Sequence, residues 1–211
     1  MTYSLLQKLI TNYPDLAECT ASIEQAFEIL QRMYKAGGKL LICGNGGSAA
    51  DSDHIVGELM KSFARPRPLP DAVQHTLRTA FPQDGDKLST SLQGALPAIS
   101  LVSQAALMTA YANDAAPELV FAQQVYGYGL PGDTVLGIST SGNSKNVIHA
   151  LQIGRALGLH TIGLTGRDGG NMKALCTVAI CVPADETAAV QERHLPIYHT
   201  LCLMLEEAFF G

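Results

Sequence analysis

The chain has 211 residues, 47% of them hydrophobic, which suits one domain with a sizeable core. Its formal charge is −5, and its Lys and Arg are scattered apart from one short, proline-broken run, Lys61 to Pro68. That run favours a solvated loop or an anionic-metabolite contact and argues against nucleic acid. With no signal-peptide pattern and no apolar stretch of membrane-spanning length, the expectation is a soluble, cytoplasmic protein.

The first expected elements are helical. "SLLQKLITNY" is amphipathic and ends near Pro14, and "LAECTASIEQAFEILQRMYKAGGK" carries apolar residues at helical spacing up to Gly37-Gly38. Residues 1–37 therefore form a helical N-terminal unit whose apolar faces need a partner, and 38–211 form the main domain. The period then changes. Five short apolar runs read as strands: "KLLICG", "LPAISLV", "DTVLGIS", "HTIGLTG" and "VAICVP". Helical patterns follow the first three, at "NGGSAADSDHIVGELMKSF", "QAALMTAYA" and "SKNVIHALQIGRALG". A last helix, "AAVQERHLPIYHTLCLMLEEAFF", closes the chain, and Pro196 is expected to distort or restart it. The polar, proline-containing stretch at about 64–93 reads as an inserted loop. Strands alternating with helices predict an α/β fold, a three-layer α/β/α sandwich with a five-stranded parallel sheet.

Two turns carry most of the chemistry. "CGNGGSAAD" leaves the first strand and "STSGNSKN" the third. Glycines allow close backbone approach, helix N-termini offer unpaired N–H groups with a partial positive charge, and hydroxyls add neutral donors. Together they predict a phosphate cradle built without lysine. Capping accounts for one hydroxyl per helix, not for the run Ser139, Thr140, Ser141 and Ser144. Neither turn has the P-loop or dinucleotide glycine pattern.

His54 and Glu58 lie at i and i+4, on one helix face, a donor pair suited to Zn²⁺ or simply a polar surface pair. The last helix adds Gln191 and His199, about 80° apart around an ideal helix, so spacing alone does not bring them together. His75, His149 and His160 read as solvated. His194 reads either as a supporting group or as part of a solvated face. Five cysteines, odd in number and without a CxxC pair, read as reduced and mostly buried thiols.

The set "CGNGGSAADSDHIVGEL", "LGISTSGNSKNVI", "GLTGRDGG" and "VQERHLPIYH" resembles the SIS (sugar isomerase) domain, and within it the phosphoheptose isomerases, over most of the chain. The resemblance implies a flavodoxin-like sheet. It implies isomerisation of sedoheptulose 7-phosphate to heptose 7-phosphate, and a homotetramer with sites between subunits. It implies substrate binding by Asn45, Gly46, Gly47, Ser48, Ser139, Thr140, Ser141, Ser144 and Gln191. It implies one Zn²⁺ per site on His54, Glu58, Gln191 and His199, with Glu58 and His199 as the acid–base pair. The chain departs from the family pattern at Ser62, Leu101 and Ala188, where the family has Arg, Asp and Asp. Those changes leave two alternatives, an isomerase of another phosphosugar or a non-catalytic SIS module that senses phosphosugars or binds protein.

Overall fold

A computed structural model describes residues 2–211. Helix α1 (Thr2–Asn12) is followed by a 3-10 turn at Pro14–Cys19 and by α2 (Thr20–Lys35). The main domain then runs β1 (Leu40–Gly44), α3 (Gly47–Met60), α4 (Asp71–Ala80), α5 (Gly85–Ser91), β2 (Ala98–Ser100), α6 (Ala105–Asp114), α7 (Val120–Tyr128), β3 (Thr134–Ser139), α8 (Lys145–Ala156), β4 (His160–Thr165), β5 (Val178–Cys181) and α9 (Thr187–Phe210). Among the described residues no helix is long and apolar enough to cross a membrane.

The five strands pair in parallel in the order β2-β1-β3-β4-β5. This is the flavodoxin-like order, and the sequence in which strands are added reverses between β1 and β3, where open parallel sheets bind ligands. Alternation along each strand divides the core. Leu40 and Ile42 of β1 and Leu136 and Ile138 of β3 face a layer built by α1, α2, α3 and α9. Leu41, Cys43 and Val135 face the opposite layer, where Val147, Ala150 and Leu151 of α8 and Phe121 and Val125 of α7 pack.

Several expectations need correction. The 64–93 stretch is not a loop throughout: it holds α4 and α5. Helix α4 has no buried residue, so its apolar positions leave a weak core signal. Helix α9 runs unbroken through Pro196. The carbonyl deprived of its N–H donor belongs to Glu192, an exposed residue. The apolar faces of α1 and α2 find their partner within the chain: Leu6, Leu9, Ile23, Phe27 and Leu30 share one core with Ile197, Leu201 and Leu205 of α9. They do not by themselves call for another subunit. Cys19, Cys43 and Cys202 are buried, while Cys176 and Cys181 are half-buried, and all five are free thiols. Burial pushes the Cys43 and Cys202 thiols up to about 12, which keeps them protonated and inert.

Candidate active site

β1 and β3 are adjacent, so the turns that leave them meet at the C-terminal end of the sheet. There they enclose a cavity of about 310 Å³ lined by Asn45, Gly46, Gly47, Ser48, Ile138, Ser139, Thr140, Ser144, Thr187 and Gln191. No Lys or Arg lines it. The N-termini of α3 and α8 open onto the cavity; neither cap residue, Gly46 or Ser144, caps its helix with a side chain, and of the α8 N–H groups that of Val147 is taken by Asn146 Oδ1 at 3.0 Å. Ser144 occupies the cap position of α8, yet its hydroxyl pairs with the Ser139 hydroxyl at 3.0 Å and caps nothing. The capping explanation of Ser139 and Ser144 therefore fails, and the first N–H group of each helix is left for a ligand. This is the geometry of a helix-terminus anion site.

Two glycines shape the cradle. Gly47 leaves the space that the Gln191 amide fills, so the Gln191 side chain rests on the turn. Gly142 has φ +65° and lies against the Gly169 and Gly170 backbone, which locks the "GRDGG" turn onto the hydroxyl turn. Asn45 and Asn146 clamp the two cradle turns together through reciprocal amide hydrogen bonds of 2.9 Å each. Ser141 lies apart from the other hydroxyls. Its oxygen accepts the Asn143 N–H at 3.2 Å, and it lines an adjoining cavity with Asn143, Arg167, Asp168 and Asp185. Thr140 borders both cavities.

The second cluster joins α3 to α9. His54 Nε2 lies 3.3 Å from Glu58 Oε1 and 3.4 Å from His199 Nε2. The two imidazoles meet edge to face, 4.9 Å between centroids. Burial lowers the His199 pKa, with nearby His54 acting in the same direction and Glu58 opposing both. Neutral imidazole is thus favoured, the form that can accept a proton or bind a cation. Glu58 Oε2 is held by Lys61 Nζ at 3.3 Å. His199 also borders a groove lined by Leu5, Lys8, Asn12 and Tyr13, which brings α1 to the centre.

Gln191 does not join this cluster. Its amide rests against Gly47 at the cradle, eight residues before His199, about 12 Å along the helix. His54, Glu58 and His199 supply the nitrogen and carboxylate donors that zinc prefers. Tetrahedral ligation at the usual zinc–nitrogen distance separates donor atoms by about 3.3 Å. Two of the three separations match that value. Among the described residues, no three His, Cys, Asp or Glu side chains already close around one point. The donor set fits zinc in chemistry, and one carboxylate oxygen of Glu58 is engaged by Lys61.

The solvated readings hold for His75 and His160, which are exposed, and His149 is half-buried with Nδ1 2.9 Å from Gln152 Oε1. His194 is a correction: it is fully buried, on no solvated face. Four residues escaped the sequence reading. Thr187 lines the cradle and Asn146 clamps it. Tyr198 contacts both Asp51 and His54, with its Oη donating to Asp51 Oδ1 at 3.2 Å and lying 3.0 Å from His54 Nδ1. Burial raises the Asp51 pKa, and Tyr198 and His54 pull it back down. Asp51 stands one helical turn before His54, and Tyr198 is the chain neighbour of His199, but neither spacing is distinctive in a sequence.

Residues 12–90 and 87–166 match the SIS domain. The chain is 41% identical over 195 residues to the phosphoheptose isomerase of Trichlorobacter lovleyi, covering 92% of this chain and 86% of that one. The phosphoheptose isomerase of Akkermansia muciniphila is 37% identical over 200 residues, covering 95% and 92%. Solved phosphoheptose isomerases from Neisseria gonorrhoeae and Francisella tularensis align with TM-scores of 0.72 and 0.74, at 32% and 28% identity. Those alignments cover 98% and 97% of this chain, and 93% and 96% of the solved ones. With an uncapped helix-terminus cradle at the sheet's reversal point and this likeness along nearly its whole length, the chain belongs to the SIS-domain family, among the phosphoheptose isomerases.

Proposed function

We propose that the protein is a phosphoheptose isomerase that interconverts sedoheptulose 7-phosphate and the aldose heptose 7-phosphate. The observation that carries this reading is the pairing of two sites. A lysine-free anion cradle lies at one end of α9, and the His54–Glu58–His199 cluster lies about 12 Å farther along the same helix. That separation is on the scale of an extended seven-carbon sugar phosphate.

The phosphate docks on the α3 and α8 N-termini and the Ser48, Ser139 and Ser144 hydroxyls. Its binding energy orients the carbonyl end of the sugar. Glu58 as carboxylate removes the C1 proton of the ketose, which gives an enediol, and the proton returns at C2. Neutral His199 carries the proton between the two oxygens, a role suited to an imidazole whose charged form is disfavoured by burial. His54, Glu58 and His199 would hold a zinc ion; an atom that binds it has no lone pair left for a proton, so Glu58 would act through its other carboxylate oxygen and His199 through its other ring nitrogen. Bound there, the ion supplies Lewis-acid polarisation of the sugar oxygens. Self-association into a homotetramer is a further part of the reading. The exposed apolar side chains Tyr126 and Leu130 support it, at 67% and 63% accessibility.

Purified protein is expected to convert sedoheptulose 7-phosphate, while Glu58→Gln and His199→Ala lose turnover and keep the wild-type circular dichroism. Wild-type rates in either variant refute the assignment. A panel of other ketose phosphates bears on the sugar itself. Leu101 is fully buried with its carbonyl taken by Gln124 Nε2 at 2.9 Å, so its side chain cannot replace the family's aspartate at the sugar. Light scattering tests the assembly, with a tetramer at four times the 22.4 kDa chain mass.

A further inference from the structure

We propose that Asp51 and Tyr198 form a positioning relay that fixes the tautomer of His54 and leaves its Nε2 bare toward Glu58 and His199. The proposal rests on the reading of that cluster as the catalytic centre and adds two residues to it.

The geometry is a chain of two hydrogen bonds. Tyr198 Oη lies 3.0 Å from His54 Nδ1 and 3.2 Å from Asp51 Oδ1. A phenol has one proton to give, and an ionised carboxylate only accepts. Tyr198 therefore donates to Asp51, and its oxygen accepts from His54. Neutral imidazole carries one proton, which this arrangement assigns to Nδ1. The lone pair is then on Nε2, the atom that faces His199 Nε2 and Glu58 Oε1; the Glu58 carboxylate, an acceptor 3.3 Å away, favours the opposite tautomer, and the relay is the group that opposes it. A proton on Nε2 would close that atom to a cation and to a proton from the substrate. Outer groups of this kind commonly fix the orientation and basicity of a ligating histidine.

The relay also joins the elements that build the centre. Asp51 and His54 sit one turn apart on α3, and Tyr198 comes from α9 beside His199. The Tyr198 ring is buried and meets both imidazoles edge to face, at 5.5 Å from His54 and 5.0 Å from His199. Its hydroxyl is thus held on His54 by packing that does not depend on the hydrogen bond. Tyr198→Phe removes the hydroxyl and keeps the ring, so the variant separates the relay from the packing.

The test uses full-length, metal-free protein with ¹⁵N-labelled histidine. Long-range ¹H–¹⁵N correlations distinguish the Nδ1–H and Nε2–H forms, and the His54 signal is identified by its loss in His54→Gln. Wild type is expected to hold His54 as Nδ1–H. Tyr198→Phe and Asp51→Asn are expected to bring in the Nε2–H form. Zinc titration with a competing chelator is expected to show affinity about 10–100-fold weaker in both variants. An Nε2–H His54 in wild type, an unchanged tautomer in Tyr198→Phe, or unchanged zinc affinity in that variant overturns the proposal. The isomerase reading fails separately: if wild type shows the tautomer and its loss in Tyr198→Phe, yet isomerises no ketose phosphate, the relay stands and the catalytic reading does not.

Discussion

Ser144 is the residue at which the cradle can be tested most cleanly. Its hydroxyl pairs only with that of Ser139, so it holds no helix end together, and it faces the cavity from the start of α8. Replacement by alanine is expected to remove one donor to a charged phosphate, worth about 1–3 kcal/mol. Steady-state kinetics on sedoheptulose 7-phosphate should then show KM raised roughly 5–150-fold with kcat changed far less. An unchanged KM would remove Ser144 from the phosphate site. The hydroxyl run was legible because it exceeded what capping needs, and the turns could be placed because they followed apolar strands. Side-chain direction was not legible. Ser141 belongs to the same run but turns its oxygen to the Asn143 N–H. Gln191 appeared as a metal donor, and its amide instead rests against Gly47. Both outcomes are decided by packing partners far along the chain.

At the scale of elements, the inserted stretch is anchored by one buried ion pair. Arg67 Nε donates to Glu206 Oε1 at 2.8 Å, and both side chains are almost wholly inaccessible. Arg67 also donates to the carbonyls of Leu59 and Glu58 at the end of α3, and lies over the Phe210 ring. Glu206 accepts the N–H groups of Phe63 and Ala64 at 2.9 and 2.8 Å. Burial alone would raise the Glu206 pKa, but these donors and Arg67 hold it below the ordinary range. The pair thus ties α3, which carries Glu58, to α9, which carries His199. Arg67→Met is expected to cost about 3–5 kcal/mol, because it leaves a buried carboxylate without its counter-charge. Adding Glu206→Leu should recover only part of that loss, since the Phe63 and Ala64 N–H groups lose their acceptor. Urea unfolding of the two variants measures both effects, and a loss under about 1 kcal/mol in Arg67→Met contradicts the anchoring role. Nothing in the run "KSFARPRP" signals a buried arginine, because its partner is 139 positions away. The helices of the insertion were hidden for a related reason: α4 buries nothing, and apolar periodicity is read through burial. The five strands were legible because a parallel sheet covered on both faces leaves short, continuous apolar runs.

For the whole molecule, the sheet order decides where function lies and the two core layers decide how the fold responds to acid. His194 sits within the layer between α9 and the sheet, fully buried. Its ring faces the Thr165 backbone, yet neither nitrogen makes a hydrogen bond of normal geometry among the described residues. Burial, only partly offset by Thr165, lowers its pKa to about 4. In the unfolded chain the ordinary value is about 6.5. Above about pH 6.5 the side chain is neutral in both states and contributes no pH dependence. Between about 6.5 and 4 the unfolded chain takes up the proton and the folded protein does not. Stability attributable to this group therefore falls as pH falls, by about 2–3 kcal/mol near pH 4.5. His194→Leu, of similar bulk and without a proton to bind, should flatten this part of the profile while carboxylate effects remain. The measurement is urea unfolding of both proteins at about pH 7 and about pH 4.5, and the expected result is a smaller acid-induced loss in the variant by that same amount. Equal losses in the two proteins would mean that His194 becomes protonated in the folded state without penalty, and that the layer beneath the active site admits water.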